Sequence, residues 1–444
     1  DPVQLCVNLV AIMPICPASL TGLTTVTQPD FAVVQTATYT VSGQAAVVQT
    51  NTATYHVNPI TPAACYIWRG FLNSAGQGVD TGGSPSLVDT IVFGPDNKMY
   101  VGGIFTNSGG NANADYLAVW DGTAWSPVGE VPILSNGQPV LDQQGNPTFG
   151  PALNGRVNSI AWWGNKLVIG GSFTDAGGVA AADYLAMYDP IAKVWSAPIS
   201  GLTGSVNSIA ISATGIAYLG GAFSGKVTAV NLATSTVQTL ATLNGNVNTV
   251  ALDATGNVYV GGAFTGYIKK WDATSSSWVN VSTDANQSNF LTGAVNDIAI
   301  KAGKVYVVGL FNGVAVLDLT ADTWSWLGGS AEPAGDGRSV AVAANGDVYV
   351  AGSFATANSV NAINVTKYNG NAWIGFRDAR TLSMAMDVAG AVGPWAGAWE
   401  VTLSPNGVAI WGGDMQNCAT RSELDFLCYF GDNIVVSPTA LTNT

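Results

Sequence analysis

The sequence predicts an all-β protein built from seven copies of a four-stranded antiparallel unit, and three observations predict this fold. A diglycine step recurs along the chain, a phenylalanine usually follows it two residues later, and each copy holds short runs of β-forming residues separated by turns. Without the longest insertions the copies repeat every 36 to 50 residues or so, roughly the length of one blade of a β-propeller. The expected architecture is therefore a seven-bladed β-propeller.

The diglycine step marks each copy. Two copies carry degenerate versions, at Val308-Gly309 and Ala351-Gly352. Because glycine weakens a strand, a repeated pair indicates close approach of two backbones, here of adjacent blades. We expect the phenylalanine that follows to fill the space between blades. The intact steps are at 102–103, 170–171, 220–221, 261–262 and 412–413, and the phenylalanines are Phe105, Phe173, Phe223, Phe264, Phe311 and Phe354, with Met415 in the last copy.

Copy four shows the strands of one unit most clearly. The tight turn at 254–257 contains a glycine that supplies a positive φ and joins the first two strands. A Tyr or Trp followed five to seven residues later by Trp recurs in the outer strands of several copies, as at Trp271 and Trp278. We interpret the repeated Gly, Phe and Trp residues as packing residues. The predicted strands are Val247–Leu252, Val258–Phe264, Tyr267–Asp272 and Ser277–Val281.

With these motifs, the repeats from about Leu87 to Val436 resemble kelch-type propellers and the galactose-oxidase-like superfamily, as found in bacterial and viral surface proteins. The resemblance implies the propeller fold and no single activity, because propellers carry many unrelated functions. A copper oxidase of this kind needs two histidine ligands. The chain has one histidine, His56, which precedes the repeats. The S-x-D-x-G-x-T-W turns of sialidase-like propellers are absent from the sequence.

The chain is expected to divide into an N-terminal strand-rich extension, residues 1–66, and the propeller with a short C-terminal tail, residues 67–444. The extension contains a duplicated segment, at 32–39 and 46–55, that predicts a hairpin. Edge strands of this kind are templates for pairing, so the extension is expected to dock on the propeller or on another subunit. The alternative is a closing strand with a disordered arm. Closure of the ring has two alternatives of its own: the last copy supplies all its strands, with Ile434–Val436 outermost, or Cys65–Phe71 completes the last blade.

Composition narrows the function classes. Charged residues make up only 10% of the 444 residues, and the net charge is −13. Such an acidic chain is not expected to bind nucleic acid, and no apolar run reaches the length of a membrane-spanning helix. An uncharged polar surface favours an extracellular, virion-surface or cell-surface protein. The five cysteines leave at least one thiol unpaired within the chain; Cys6 with Cys16 and Cys418 with Cys428 are plausible pairs, and no zinc spacing occurs.

The second residue of each innermost strand is the first candidate site. Seven blades around one axis place these residues in a ring, which suits waters, a cation or a sugar hydroxyl. The alternative is that the asparagines bond neighbouring backbone and hold the blades together. The ring residues are Asp89, Asn158, Asn207, Asn248, Asn296, Arg338 and Trp399.

Long loops form the second candidate site. The loops between second and third strands are long in copies six, seven, one and two, which are adjacent in a closed ring, and insertions follow copy one (Glu130–Gly155) and copy six (Phe376–Gly397). Loops clustered on one arc of one face indicate contact with a partner. The candidate contact residues are Asn113, Asp115, Asp183 and Trp395.

The sequence offers no catalytic set. Neither a Ser/His/Asp nor a Cys/His arrangement is expected, because the single histidine lies outside the repeats. No cofactor or metal is predicted. The favoured function is a non-enzymatic extracellular or virion-surface structural or adhesion protein, anchored to other subunits through residues 1–66 and contacting a host-surface protein or glycan through its long loops. The alternatives are a secreted carbohydrate-active enzyme (glycosidase or lyase), favoured if carboxylates converge at the channel, and a lectin, favoured if loop aromatics such as Trp395 are exposed.

Overall fold

The structure is a computed structural model that describes residues 31–39, 47–55, 68–80, 86–281, 290–376, 397–414 and 426–430. The chain divides into two units, Asp1–Tyr66 and Ile67–Thr444, and each is described by itself. In the first unit, strand β1 (Phe31–Tyr39) pairs with β2 (Val47–Tyr55) as an antiparallel hairpin. The register runs from Phe31 opposite Tyr55 to Tyr39 opposite Val47, so the duplicated segments pair with each other.

The second unit contains seven four-stranded antiparallel sheets, and this confirms the predicted fold class. In the first six blades the four strands follow one another in chain order from the axis outwards, and each pairs with the next as an antiparallel neighbour. Blades one to three consist of β4–β7 (Leu87–Phe93, Met99–Ile104, Leu117–Trp120, Trp125–Pro127), β12–β15 (Val157–Trp163, Lys166–Gly171, Leu185–Asp189, Val194–Ser196) and β16–β19 (Val206–Ile211, Ile216–Gly221, Val227–Asn231, Thr236–Thr239).

The remaining blades have the same order. Blades four to six consist of β20–β23 (Val247–Leu252, Val258–Gly262, Ile268–Asp272, Ser277–Asn280), β24–β27 (Val295–Lys301, Lys304–Gly309, Phe311–Asp318, Thr323–Trp326) and β28, β29, β32 and β33 (Gly335–Val342, Val348–Phe354, Val365–Tyr368, Trp373–Ile374). Short strands outside the blades are β8–β11 (Val131–Pro132, Leu134–Ser135, Gln138–Pro139, Phe149–Gly150) and β30–β31 (Thr356–Ala357, Val360–Asn361).

Blade seven closes the ring with a strand from the other end of the unit. Its strands β34 (Gly397–Leu403), β35 (Ala409–Asp414) and β36 (Leu427–Phe430) are completed by β3 (Trp68–Gly70), which pairs with β36 at the outer edge. Of the two sequence alternatives, the early strand therefore fills this position. The innermost strands touch in cyclic order, and β34 contacts β4.

Two smaller features complete the description. Two short 3₁₀ turns, Ser108–Gly110 and Leu327–Gly329, are the helical elements of the described residues. The described part of the chain contains no helix with the length and hydrophobicity needed to cross a bilayer. Cys428 is disulfide-bonded, and its partner lies outside the described residues, so the pairing expected with Cys418 stays a prediction.

The diglycine steps lie where neighbouring blades approach each other. A Cβ on Gly261 would lie 2.3 Å from Cγ1 of Val295, which opens the next blade. A Cβ on Gly262 would lie 2.1 Å from the carbonyl oxygen of Asn246, which directly precedes the innermost strand of the same blade. No side chain fits at either position. The phenylalanines that follow the steps are at most 6% exposed in blades one to six, as expected for residues that fill the space between blades.

Tryptophans in the fourth strands link the blades at the rim. In blades one, two, four and five one such tryptophan donates its indole N–H to a backbone carbonyl of the preceding blade or its connection, and the bond from Trp125 to Phe71 joins blade one to the segment after β3. A buried indole usually forms such a bond, but the buried Trp373 indole of blade six has no hydrogen-bond partner among the described residues. The bonds are Trp125 to Phe71 (2.8 Å), Trp195 to Gly129 (2.8 Å), Trp278 to Ala241 (2.6 Å) and Trp324 to Val281 (2.6 Å).

Candidate binding site in the axial cavity

A β-bulge at the same point of every innermost strand positions the candidate ring. In β12, Val157 pairs with Gly171 and Ser159 with Gly170, so Asn158 is the extra residue. A bulge re-aims the side chain that it carries. In all seven blades the extra residue is one of the predicted ring residues, namely Asp89, Asn158, Asn207, Asn248, Asn296, Arg338 and Trp399.

These seven residues come together around a cavity on the propeller axis. The cavity has a volume of about 750 Å³. The residues that directly follow the bulged residues line it as well, and they form a second ring. This second ring consists of Thr90, Ser159, Ser208, Thr249, Asp297, Ser339 and Glu400.

The asparagines of blades two to five hold neighbouring blades together. Each side-chain amide donates a hydrogen bond to the backbone carbonyl of the residue that precedes the bulge in the next blade. Linking neighbouring blades in this way is the alternative role that the sequence analysis left open. The bonds run from Asn158 to Val206 (3.0 Å), Asn207 to Val247 (2.9 Å), Asn248 to Val295 (2.9 Å) and Asn296 to Gly337 (2.8 Å).

The second ring adds further links between blades. The Ser159 hydroxyl accepts a hydrogen bond from the backbone N–H of Ile209 (3.1 Å), and the Ser208 hydroxyl accepts one from Val250 (3.0 Å). Asp297 makes the equivalent link, because its Oδ2 accepts the N–H of Val340 at 2.9 Å. A carboxylate thus occupies a position that a small hydroxyl fills elsewhere.

Blades six, seven and one replace the asparagines with charged and aromatic residues. Asp89 forms an ion pair with Arg156 through both carboxylate oxygens, one of them 2.7 Å from Nε. The Arg338 guanidinium carbon lies 3.8 Å from the centroid of the Trp399 ring, and that of Arg156 lies 5.9 Å from it. Burial raises the pKa of Asp89 above its usual value, although the Arg156 charge opposes this change.

Two further carboxyl groups meet below the ring. Asp297 and Glu400 both hydrogen-bond the Ser339 hydroxyl, at 3.1 and 3.2 Å, so their oxygens are at most two hydrogen-bond lengths apart. Burial raises the pKa of Asp297, against the opposing effect of the hydrogen bonds it accepts. Burial, followed by the nearby Asp297 charge, raises the pKa of Glu400 well above its usual value. Glu400 therefore keeps its proton to a higher pH than a carboxyl group in water does.

Sequence reasoning missed three of these residues. Asp297 and Glu400 lie at a position where the other five copies carry Ser or Thr, and that departure from the repeat was the available signal. Arg156 precedes the bulged strand of blade two, and nothing in the repeat pattern singles it out. Its pairing with Asp89 in blade one depends on the packing of two blades, which spacing along the chain does not reveal.

Of the predicted loop residues, Asn113, Asp115 and Asp183 do not line the axial cavity. Asn113 donates a hydrogen bond to Glu130 at 2.7 Å and so ties the first long loop to the insertion after blade one. Asp115 accepts the backbone N–H of Asn107 at 2.8 Å, within the same loop. Asp183 is half-buried at the end of the second long loop, and Trp395 lies outside the described residues.

The described residues contain no group of three or more His, Cys, Asp or Glu side chains arranged to hold a metal ion. The groups that line the cavity are instead amides, hydroxyls, carboxyls and guanidinium groups. Such a lining suits a polar organic ligand that forms hydrogen bonds with the protein.

The fold and the ring geometry define a seven-bladed β-propeller with a polar axial site. A family model described as the Rax2 C-terminal beta propeller domain matches residues 139–243, which span blades two and three. No curated protein matches the chain.

Solved structures agree at the level of the fold. The extracellular domains of a putative hybrid two component system and of a putative one component system, both BT4673 from B. thetaiotaomicron, match at 12% identity with TM-scores of 0.51 and 0.50. The matches cover 80% and 79% of this chain but only 39% of each of those chains. The WD40 beta propeller domain of Doa1 matches at 15% identity over 80% of this chain and 95% of that one, with a TM-score of 0.47. The two matches with TM-scores of 0.50 and 0.51 agree with the fold and do not distinguish a kelch type.

Proposed function

We propose that the protein is a non-enzymatic extracellular binding protein of a virion or cell surface. Its propeller presents a face of long loops to a host-surface protein or glycan, and residues 1–66 anchor it to other structural subunits. The sparse charge and uncharged polar composition support an extracellular location. Two of the structural neighbours are themselves extracellular domains, which agrees with this location.

The observation that carries the proposal is a group of exposed apolar side chains in the insertion that follows blade one. Among the described residues, ten large apolar side chains are exposed, and five of them lie between residues 133 and 149. Clustered apolar side chains in water mark interaction sites. The five are Ile133, Leu134, Val140, Leu141 and Phe149.

The insertion after blade one is ordered by its own backbone hydrogen bonds. The N–H of Val140 donates to Ile133 (2.7 Å), that of Thr148 donates to Val140 (2.7 Å), and that of Ile133 donates to Thr148 (2.9 Å). Its base is held by the Asn113–Glu130 bond and by an isolated bridge between Leu153 and Ala176. Because the scaffold is already ordered, binding a partner through it costs little conformational entropy.

The proposal is tested by coating beads with the full chain and measuring their adhesion to a panel of bacterial, fungal and animal cells. The variant Leu134→Ser/Leu141→Ser should reduce adhesion by about 100-fold or more, because two buried leucines contribute roughly 1.5–3 kcal/mol each at an interface. The matched control is Ile191→Ser/Val237→Ser, which removes two equally exposed apolar residues elsewhere. Equal loss in both variants, or no adhesion to any surface, contradicts the proposal.

The anchoring role rests on the β1–β2 hairpin. Its sheet has two strands, and an isolated hairpin of this kind is only marginally stable in water. Pairing of an outer edge with another subunit supplies the missing strands. Light scattering of the full chain should therefore show association that a lysine introduced into an outer edge, as in Val33→Lys, reduces. A chain that stays monomeric at every concentration contradicts the anchoring role.

A carbohydrate-active enzyme is the second candidate, because three carboxyl groups line the cavity. Their bonding favours a structural role: Asp89 is held in its ion pair, and Asp297 accepts four hydrogen bonds, from Thr249, Ile298, Ser339 and Val340. A glycosidase needs two carboxyl groups that both reach the substrate. Release of reducing ends from polysaccharides by the full chain, abolished in Glu400→Gln, would support the enzyme instead.

A further inference from the structure

The axial cavity has two chemically different walls. On the wall formed by blades two to five, each asparagine uses one amide N–H on a backbone carbonyl, so the amide oxygen can accept a hydrogen bond and the second N–H can donate one. The oxygen of Asn207 also accepts the Ser205 hydroxyl at 3.2 Å. This wall is rich in acceptors, and it suits a ligand that carries several hydroxyl groups.

The opposite wall carries two cations. Arg156 bonds Asp89 through Nε and Nη2, which leaves the N–H groups of Nη1 on the other side of the guanidinium. Arg338 projects from the bulge of blade six and is packed on Trp399. Guanidinium groups recognise carboxylates through paired, charge-assisted hydrogen bonds. This wall therefore suits an anionic group on the ligand.

Trp399 positions this cationic wall and does not act as a stacking platform for a sugar. The Arg338 guanidinium lies 3.8 Å from the centre of its ring, in a cation–π contact. A neutral sugar that stacked on the same face would displace the cation. Recognition at this wall thus depends on charge, whereas recognition at the asparagine wall depends on hydroxyl hydrogens.

We infer that the axial cavity binds a small polyhydroxylated ligand with one carboxylate, the chemical class of the sugar acids. The carboxylate lies at Arg338 and Arg156, and the hydroxyl groups donate to the asparagine oxygens. The volume of about 750 Å³ falls within the range of roughly 300–1,000 Å³ that small-molecule sites occupy. This binding site uses residues other than those of the loop face, so it extends beyond the proposed function.

Calorimetric titration of the full chain tests the inference with three probes. D-glucuronate carries both features, D-glucose lacks the carboxylate, and acetate lacks the hydroxyl groups. Glucuronate should bind at least tenfold more tightly than either of the others. The variant Arg338→Gln should weaken glucuronate binding by about 10- to 100-fold, as expected for a lost charge-assisted hydrogen bond. The control is Lys304→Gln, which removes an exposed cation paired with Asp318 and should leave the affinity unchanged.

Glucose binding as tightly as glucuronate, or no binding of glucuronate at millimolar concentration, overturns the inference. A crystal structure of the unaltered chain with glucuronate decides the matter if Arg338→Gln does not fold. The carboxylate must then lie within hydrogen-bond distance of Arg338, and a ligand bound only on the loop face overturns the inference. Either failure leaves the adhesion test with Leu134→Ser/Leu141→Ser unaffected.

Discussion

The arc of blades two to five differs from the arc of blades six, seven and one at the same structural positions. In the first arc the bulged residue is always asparagine, and each bonds the next blade. In the second arc it is Arg338, Trp399 or Asp89. Packing between blades does not follow this division. The first glycine of the diglycine step contacts a valine of the next blade in both arcs, at 102, 170, 220, 261 and 412, and the exchange of Val308 with Gly337 lies where the two arcs meet.

This difference separates what closes the ring from what a ligand can use. The regular arc supplies blade-to-blade bonds and repeats one interface. The irregular arc lacks the asparagine hydrogen bonds that link neighbouring blades of the regular arc. At the three equivalent positions Asp89, Arg338 and Trp399 line the cavity instead. Departure from the repeat therefore coincides with the wall at which we propose that a ligand carboxylate binds, in keeping with the tendency of sites to break local rules.

The interface between blades five and six offers the strongest test of the comparison. Here glycine and valine have exchanged places: a Cβ on Gly337 would lie 2.5 Å from the Cβ of Val308, which is fully buried. Gly337→Val alone should cost about 3 kcal/mol through overpacking. Val308→Gly alone should cost about the same through the cavity it leaves. The double variant rebuilds the usual interface and should unfold within about 1 kcal/mol of the unaltered chain.

Thermal and urea unfolding of the four proteins measures this coupling. Gly337 has no positive φ, so the valine meets no backbone strain of its own. The control is Gly220→Val, at an interface where the neighbouring residue is already Val247 and no exchange relieves the contact. If the losses in free energy of unfolding of the two single variants simply add in the double variant, the exchanged pair does not fill the same volume as the glycine and valine of the other interfaces.

The fold was largely predictable because its signals are local and repeated. Turn glycines, the diglycine steps and the phenylalanines identified seven blades and, in copy four, strands that end within two residues of the observed ones. Completion of blade seven was not predictable, because Cys65–Phe71 and Ile434–Val436 are both rich in β-forming residues. The compensation at Val308 and Gly337 was also invisible, since each looks like a defect until the two blades are packed together.

The buried carboxyl groups of the irregular arc give the second prediction. The pKa of Glu400 is raised in the folded protein, so the folded state binds more protons than the unfolded state between the two pKa values. Stability contributed by this group is therefore present at low pH and falls as pH rises towards neutrality. Glu400→Gln fixes the neutral form, and it should raise the Tm at pH 7.5 by a few degrees and change it little at pH 5.

Asp318→Asn is the control for this pH profile. The Lys304 ammonium, the largest cause, lowers the pKa of Asp318 to about 2. Stability from a lowered carboxyl pKa is lost only as pH falls from its usual value of 3.8 towards 2, so the Tm difference of this variant should not vary between pH 5 and 7.5. A parallel profile for Glu400→Gln would show that Glu400 is ionised in the fold and would remove the basis for treating it as a protonated group.

The candidate site was predictable in part. All seven ring residues were placed by counting from the start of each innermost strand, because the repeat puts equivalent residues at equivalent radius. Asp297 and Glu400 come from blades five and seven and meet only through Ser339 of blade six. Such a meeting depends on the angle between blades, and no spacing along the chain encodes it.

The smallest effect is expected from restoring the repeat in the irregular arc. Arg338→Asn places the usual residue at the bulge of blade six, where its amide should bond the Ala398 carbonyl as Asn248 bonds Val295. One such bond contributes about 1 kcal/mol. Removal of a guanidinium whose pKa is lowered by burial acts in the same direction. We expect higher stability in urea unfolding together with loss of glucuronate binding. Greater stability together with lost binding would show that Arg338 serves ligand binding at a cost in stability. A less stable variant would instead show that Arg338 stabilises the ring through its packing on Trp399.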